Sequence, residues 1–287
     1  MVAERDEWLL RREARIATLE TTIANLENAL HDRENAVRRR EHQTEEEIAR
    51  REVTIRDREE RIAWLEDQVR RLETPRLLPR TDDLQLRLKD VVARLPGWCP
   101  EEKARWMVDR ILDGGYKTAA EIGVFAGRSV FPIAFAIAAN KGTAVYAVDA
   151  WENEAATSSP TEYQNDVWWD NVDLVGVKNS FLREIISQNL TGVIKIFELP
   201  SNSAYLAIKN KIGRSIDFLH IDGAHSETQA NFDVTHWSEL VTPGGMIVLD
   251  DIDWPGVRDA AVFLSDKCEK IDELRGKSFA FAAFRVQ

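Results

Sequence analysis

Apolar residues in the first 74 positions recur every seven residues, which is the spacing of a coiled-coil seam. This stretch contains neither proline nor glycine, so we predict one long helix over 1–74 that joins copies of the chain. The middle of the seam is weak, because Arg33, Arg40, Arg51 and Arg58 occupy it. A charged single helix held by Glu/Arg pairs is the alternative. Two apolar rows, offset by four residues as in a stutter, form the seam: Leu9, Ile16, Ile23, Leu30 and Val37, then Ile48, Ile55, Ile62 and Val69.

Two prolines, Pro75 and Pro79, mark the end of this arm. Proline removes a backbone donor and restricts the residue before it, so a helix ends there. The pattern then predicts two short helices, over 83–95 and 101–113. We therefore interpret 75–117 as a linker with N-terminal helices.

From Thr118 onwards, short apolar runs alternate with helical stretches. The runs are β-rich and apolar on both faces, as parallel strands covered by helices must be. A final pair of runs predicts an antiparallel edge hairpin. The pattern indicates a Rossmann-like, doubly wound α/β sheet of seven strands in a domain spanning 118–287. The runs are 119–125, 144–148, 193–199, 216–221 and 246–249, and the final pair is 270–274 and 279–286.

Composition narrows the class of protein. Of the 287 residues, 44% are hydrophobic and 30% are charged, and no apolar run approaches the roughly 20 residues that a bilayer requires. The formal net charge of -11 opposes nonspecific binding to nucleic acid or anionic lipid. Two cysteines do not make a disulfide framework or a cysteine-built zinc site. The acidic first residues predict a cytoplasmic protein without an export signal.

The first predicted strand of the α/β domain ends in a glycine turn that contains Gly123 and Gly127. Such a turn lets a ligand approach the backbone, and the helix that follows offers free N–H groups. The second strand ends at Asp149, where a carboxylate accepts the hydroxyls of a ribose. Together these features predict a nucleoside ligand. In the alternative, Glu121 caps a loop and Asp149 merely ends a strand.

Three aspartates follow the fourth and fifth strands. Asp222 ends one strand, and Asp250 and Asp251 end the next, so all three should meet at the carboxyl edge of the sheet. Their mutual repulsion predicts a bound cation, and oxygen ligands select a hard ion, Mg²⁺ or Mn²⁺. In the alternative, the three carboxylates fan out into solvent.

The segment from Thr118 to the C-terminus resembles class I S-adenosylmethionine (SAM)-dependent methyltransferases. Within them it is most similar to the metal-dependent sugar O-methyltransferases of the macrocin and mycinamicin type and to the cephalosporin-hydroxylase-like group. The motifs that carry the resemblance are E-I-G-V-F-A-G-R-S at 121–129, V-D-A-W at 148–151, I-D-G-A-H at 221–225 and P-G-G-M-I-V-L-D-D at 243–251.

The resemblance implies a role for each motif residue. The methionine end of SAM would be held by Glu121, Gly123, Gly127 and Ser129, its ribose by Asp149, and the metal by Asp222, Asp250 and Asp251. Catechol-type relatives place a lysine base three residues after the first metal aspartate, and this chain has His225 there.

The residues therefore favour methyl transfer to an alcohol oxygen of a sugar, a glycan or a glycosylated small molecule. His225 follows a strand end beside the expected metal and suits a proton acceptor, as does Asp222. His220 lies inside a strand and is expected to be a satisfied core residue. Two rival functions stay open: a nicotinamide-dependent dehydrogenase, and a coiled-coil scaffold with an inactive methyltransferase domain. A partner enzyme reached by the arm is a further hypothesis.

Tryptophans form a second candidate feature. Trp151, Trp168, Trp169 and Trp254 follow strand ends or lie in the insertion after the second strand. Their rings would suit stacking on a sugar face, and ordinary packing is the alternative.

The arm yields the first prediction. If its apolar rows form a seam, the full chain should be a dimer or trimer, while a chain that begins at Thr81 should be monomeric. Light scattering of both chains measures this. Equal, monomeric masses would dispose of the coiled coil.

Overall fold

The computed structural model describes residues 81–154, 163–277 and 279–287, together with 12–13, 15–16, 18–22, 30 and 33. The chain divides into two compact units, Met1–Arg71 and Leu72–Gln287. In the first unit, the described seam residues Ile16 and Leu30 are helical and exposed. Most of the predicted arm lies outside the described residues, so the coiled coil stays a prediction. No described helix is long and apolar enough to cross a membrane.

The second unit is built on one seven-stranded sheet in the order β3-β2-β1-β4-β5-β7-β6. Strands β1 to β5 pair in parallel, and β7 runs antiparallel to both β5 and β6. The predicted α/β sheet with a C-terminal antiparallel hairpin is thus confirmed. The strands are β1 (Thr118–Ile122), β2 (Ala144–Asp149), β3 (Ile194–Glu198), β4 (Ile216–Ile221), β5 (Val241–Asp250), β6 (Glu269–Arg275) and β7 (Ala280–Arg285).

Helices cover both faces of the sheet. The helices are α1 (Thr81–Arg94), α2 (Glu101–Gly114), α3 (Val130–Ala139), α4 (Tyr163–Asn171), α5 (Leu174–Ser187), α6 (Ser201–Ile212), α7 (Glu227–Trp237) and α8 (Arg258–Lys267). One core cluster joins α1, α2, α3 and α5 to one face, and the other joins α6, α7 and α8 to the opposite face. Neighbouring strand residues alternate between the two cores, as Phe218 and Leu219 do.

The segment before β1 belongs to this folded unit. Both predicted helices form, as α1 and α2, and they bury apolar residues against α3 in the first core. On α2 the buried face carries Ala104, Met107, Val108 and Ile111 at helical spacing. The same face also carries Lys103. A charged residue thus sits on an apolar stripe, and it points into the unit.

Strand register brings the candidate residues to one level. Ile122 of β1 pairs with Val148 of β2 and with Ile221 of β4, and Ile221 pairs with Leu249 of β5. The residues that follow these positions therefore emerge together at the carboxyl edge of four adjacent strands. A parallel sheet binds its ligands at this edge.

Candidate functional site

A cavity of about 680 Å³ opens at the carboxyl edge of the sheet. That volume lies in the usual range for small-molecule sites. The cavity brings together six of the residues predicted from sequence: Gly123, Ser129, Asp149, Asp222, His225 and Asp251. The glycine turn, the ribose candidate and the base candidate therefore share one site.

The glycine turn is fixed by close backbone contact. Gly123 has φ +84°, and a Cβ at this position would overlap the backbone carbonyl of Asp222. Gly127 has φ +90°, and its Cβ would lie 2.6 Å from the ring of Phe131. Glycine is required at both positions, since other residues pay for positive φ and have no space there.

Glu121 lies behind the cavity wall and is fully buried. Its carboxyl group accepts a hydrogen bond from the Ser129 hydroxyl. Burial raises the pKa of Glu121 well above its ordinary value, which the Ser129 hydrogen bond only partly opposes. Glu121 therefore fixes Ser129, and Ser129 is the member of the pair that lines the cavity.

Asp149 organises the backbone around the cavity. Its two carboxylate oxygens accept hydrogen bonds from the N–H groups of Phe125 and Trp151, each at 2.8 Å. Burial raises the pKa of Asp149, and these N–H donors oppose the rise. A carboxylate oxygen has more than one acceptor site, so room is left for ligand hydroxyls.

Asp222, His225 and Asp251 form a cluster in the cavity. Their ligand atoms all lie within 4.8 Å of one another, and His225 Nε2 is 2.7 Å from Asp251 Oδ2. Burial lowers the pKa of His225, but the carboxylates of Asp251 and Asp222 outweigh it and raise the pKa overall. Asp251 has φ +53°, a strained conformation for a residue with a side chain. Two carboxylates and an imidazole are a donor set that fits a divalent cation.

Asp250 faces a different group. Its Oδ2 pairs with Lys103 Nζ from α2, and only 8% of its side chain is exposed. His220 Nε2 lies 3.6 Å from the same oxygen. The three predicted metal aspartates are thus divided: Asp222 belongs to both candidate metal-binding groups, Asp250 to one and Asp251 to the other.

His220 departs from the sequence-based expectation in one respect. It is fully buried, as expected, but neither ring nitrogen has a hydrogen-bond partner among the described residues. Its Nδ1 lies 3.6 Å from Glu121 Oε1. Burial lowers its pKa well below the ordinary value, and Lys103 adds to that effect, so the ring is neutral.

The tryptophans separate into packing and surface residues. Trp151 is buried and stacks on Phe181, so for this residue the packing alternative holds. Trp254 lies against the His225 ring, with centroids 4.5 Å apart. Trp168 and Trp169 join an aromatic cluster with two residues that the sequence did not single out, Trp98 and Phe125.

Sequence reasoning missed three further features of the site. Lys103 and Trp98 precede the first strand, where no motif pointed to them. Asp233 also lines the cavity, and its Oδ1 accepts hydrogen bonds from Ser201 Oγ at 2.6 Å and from Gln229 Nε2 at 3.1 Å. Its only sequence signal would have been an acid on the inward face of a helix.

Residues 120–252 match a family model described as Methyltransferase domain. The match begins in β1 and ends just after β5, so it contains the glycine turn and the Asp222 and Asp251 positions. The match agrees with the resemblance of this segment to methyltransferases that its motifs indicated. No curated protein matches the chain significantly by sequence.

Solved structures share the fold. TomG, an O-methyltransferase from Streptomyces achromogenes involved in tomaymycin synthesis and solved with SAM, is 16% identical with a TM-score of 0.52, covering 74% of this chain and 92% of that one. An O-methyltransferase from Bacillus cereus, solved with SAH, is 16% identical with a TM-score of 0.50, covering 73% of this chain and 93% of that one. These likenesses confirm a Rossmann-like methyltransferase fold.

Asp233 supplies a prediction about stability. Burial raises its pKa to about 7, so between about pH 4 and 7 the folded chain binds a proton that the unfolded chain releases. This residue should therefore cost stability as the pH rises through that window. Asp233→Asn cannot titrate, so its stability relative to wild type should rise from pH 5 to pH 8, by at most about 1.4 kcal/mol per pH unit.

Urea unfolding of both proteins at several pH values measures this difference. Asp266→Asn, on the exposed face of α8, is the matched control. A stability difference between Asp233→Asn and wild type that is the same at pH 5 and pH 8 would contradict the prediction.

Proposed function

We propose that the chain is a SAM-dependent O-methyltransferase that acts on a hydroxyl of a sugar, a glycan or a glycosylated small molecule. One observation carries the proposal: the glycine turn, Asp149 and the Asp222–His225–Asp251 cluster open into a single cavity. The methyltransferase match over 120–252 covers the strand ends that supply all of them. TomG and the Bacillus cereus enzyme, which share the fold, are both described as O-methyltransferases.

The cofactor would lie across the first two strand ends. The backbone at Gly123 and the Ser129 hydroxyl, held by Glu121, would bind the methionine part of SAM, while Gly127 keeps the turn compact. Asp149 would accept hydrogen bonds from the ribose hydroxyls. When bound, SAM would supply a methyl group whose bonding electron pair stays on sulfur as the new carbon–oxygen bond forms.

The acid–base work falls to the cavity cluster. The acceptor hydroxyl must lose its proton as its oxygen gains the methyl group, and His225 Nε2 would take that proton once it is free of Asp251. Asp222, which also lines the cavity, is the second candidate acceptor. Trp254 packs against the His225 ring and would limit its rotation.

A divalent ion, Mg²⁺ or Mn²⁺, fits the Asp222 and Asp251 side of this cluster. Held there, it would orient the acceptor hydroxyl and lower the pKa of that hydroxyl. Asp250 is a weaker ligand candidate than the sequence suggested, because Lys103 already occupies its carboxylate.

Aromatic rings at the cavity support a sugar-type acceptor. Trp98 is 61% exposed and Trp168 is 42% exposed, and their ring centroids lie 5.2 Å apart in an edge-on arrangement. Trp98 and Trp169 also line the cavity, as does Phe125. Flat apolar rings beside carboxylates suit a ligand that has both C–H faces and hydroxyls.

We also propose that the 1–74 arm makes the protein a homo-oligomer and sets its distance from a partner enzyme. The support is the heptad pattern of the arm, whose apolar rows need a partner surface.

The function is tested by incubating the full chain with SAM, Mg²⁺ and a panel of glycans and glycosides, with mass spectrometry of the products. We expect a singly methylated product and SAH. His225→Gln should lower turnover by roughly 10²- to 10⁴-fold, as for a lost general base, while calorimetry shows unchanged SAM affinity. Tight binding of NAD without binding of SAM would overturn the assignment.

His236→Gln is the matched control for this experiment, because His236 lies on α7 outside the cavity and bonds the Phe232 carbonyl. It should keep full turnover. Turnover by His225→Gln at the wild-type rate would leave Asp222 or water as the base.

The aromatic cluster leads to a separate prediction. Trp98→Ala should raise the KM for the acceptor by up to about tenfold, because a stacking contact contributes on the order of 1 kcal/mol. The kcat should change little, because the ring contacts of Trp98 are with Phe125, Trp168 and Trp169 and not with His225. Leu206→Ala, an exposed residue on α6, is the control for general surface effects. An unchanged acceptor KM would count against stacking.

A further inference from the structure

Lys103 reaches from α2 into the carboxyl edge of the sheet. Its side chain is 1% exposed, its Nζ pairs with Asp250 Oδ2, and the same nitrogen lies 3.6 Å from Asp222 Oδ2. One ammonium group therefore stands between carboxylates from the ends of β4 and β5. These are the strands whose aspartates the sequence assigned to a divalent cation.

Burial of the Lys103 ammonium group is unfavourable unless its charge has a role in the site. Removing a lysine and an aspartate from water costs several kcal/mol per ion, which their attraction must offset. The buried neighbours of Lys103 on α2 are apolar, so Met or Leu would continue the stripe without this cost. The charge itself must therefore matter where the lysine reaches the strand ends.

The groups around Asp250 leave Lys103 as its compensating charge. His220 faces Asp250 from β4 at 3.6 Å, and its Nε2 makes no hydrogen bond to that carboxylate. Asp222 faces it from the same strand and adds negative charge. The Asp250 carboxylate needs a cation nearby, and Lys103 supplies one from a different element of the fold.

We propose that Lys103 is a built-in cation that takes the place of a divalent ion at Asp250, so that a metal in this site is bound by Asp222 and Asp251 without Asp250. Lys103 also holds Asp222 from behind, which makes it a positioning residue for the proposed metal and base cluster. The inference rests on the proposed function only for the location of that cluster, and its test requires no methyl transfer.

The test measures Mn²⁺ binding to the full chain by electron paramagnetic resonance of the free ion. Asp251→Asn should bind Mn²⁺ at least tenfold more weakly than wild type. Lys103→Met should bind Mn²⁺ at least tenfold more tightly than wild type, because three carboxylates then lack a cation.

In the double variant, Lys103→Met with Asp250→Asn, both positions are uncharged. Its affinity for Mn²⁺ should return to that of wild type. The double variant also shows whether a poorly folded Lys103→Met variant suffers from an unpaired Asp250, in which case the double variant should fold. If Lys103→Met does not fold, the comparison of the double variant with Asp251→Asn decides.

The proposal is overturned if the double variant weakens Mn²⁺ binding as much as Asp251→Asn does, or if folded Lys103→Met binds Mn²⁺ no more tightly than wild type. SAM binding by the same samples separates this outcome from a failure of the proposed function. Absence of SAM binding in wild type would count against the proposed function. If wild type binds SAM but the Mn²⁺ affinities of the variants differ from those expected, only the role of Lys103 is contradicted.

Discussion

The ion pair between Lys103 and Asp250 is the interaction on which the site depends most. In-register parallel strands deliver several carboxylates to one sheet edge, and their charges must be compensated out of contact with water. The compensation comes from α2, so a helix that precedes the first strand is tied to the end of β5. Removing one partner of such a buried pair costs on the order of 3–5 kcal/mol, because the other charge is left alone.

Two other buried polar groups near the cavity avoid charge instead of pairing it. Glu121 is favoured in its protonated form by burial, and His220 in its neutral form. Both lie directly behind residues that line the cavity. Apart from the Lys103 pair, the wall behind the cavity is therefore close to electrically neutral. The carboxyl groups of Asp149 and Asp222 lie on the side that lines the cavity.

The sheet and most of the cavity residues were predictable because their signals are local. Apolar runs bounded by turns define the strands, and residues such as Asp149 and Asp222 are placed by lying directly after them. Asp250 and Asp251 were treated as equivalent, yet successive residues point to opposite sides of a strand and the positive φ of Asp251 turns the chain further. Lys103 could not be predicted as a site residue, because its partner lies 147 residues away and the pattern of its own helix is that of an ordinary apolar stripe.

The residues that match the methyltransferase family span 120–252, whereas Lys103 and Trp98 both lie before that span. The part of the chain that matches the family model thus contains the glycine turn, Asp149 and the Asp222–His225–Asp251 cluster, whereas the two preceding helices and their connection contribute Trp98 and Lys103. A substitution in 81–117 can therefore change one wall of the cavity while the sheet, with its glycine turn pressed against Asp222, is left intact.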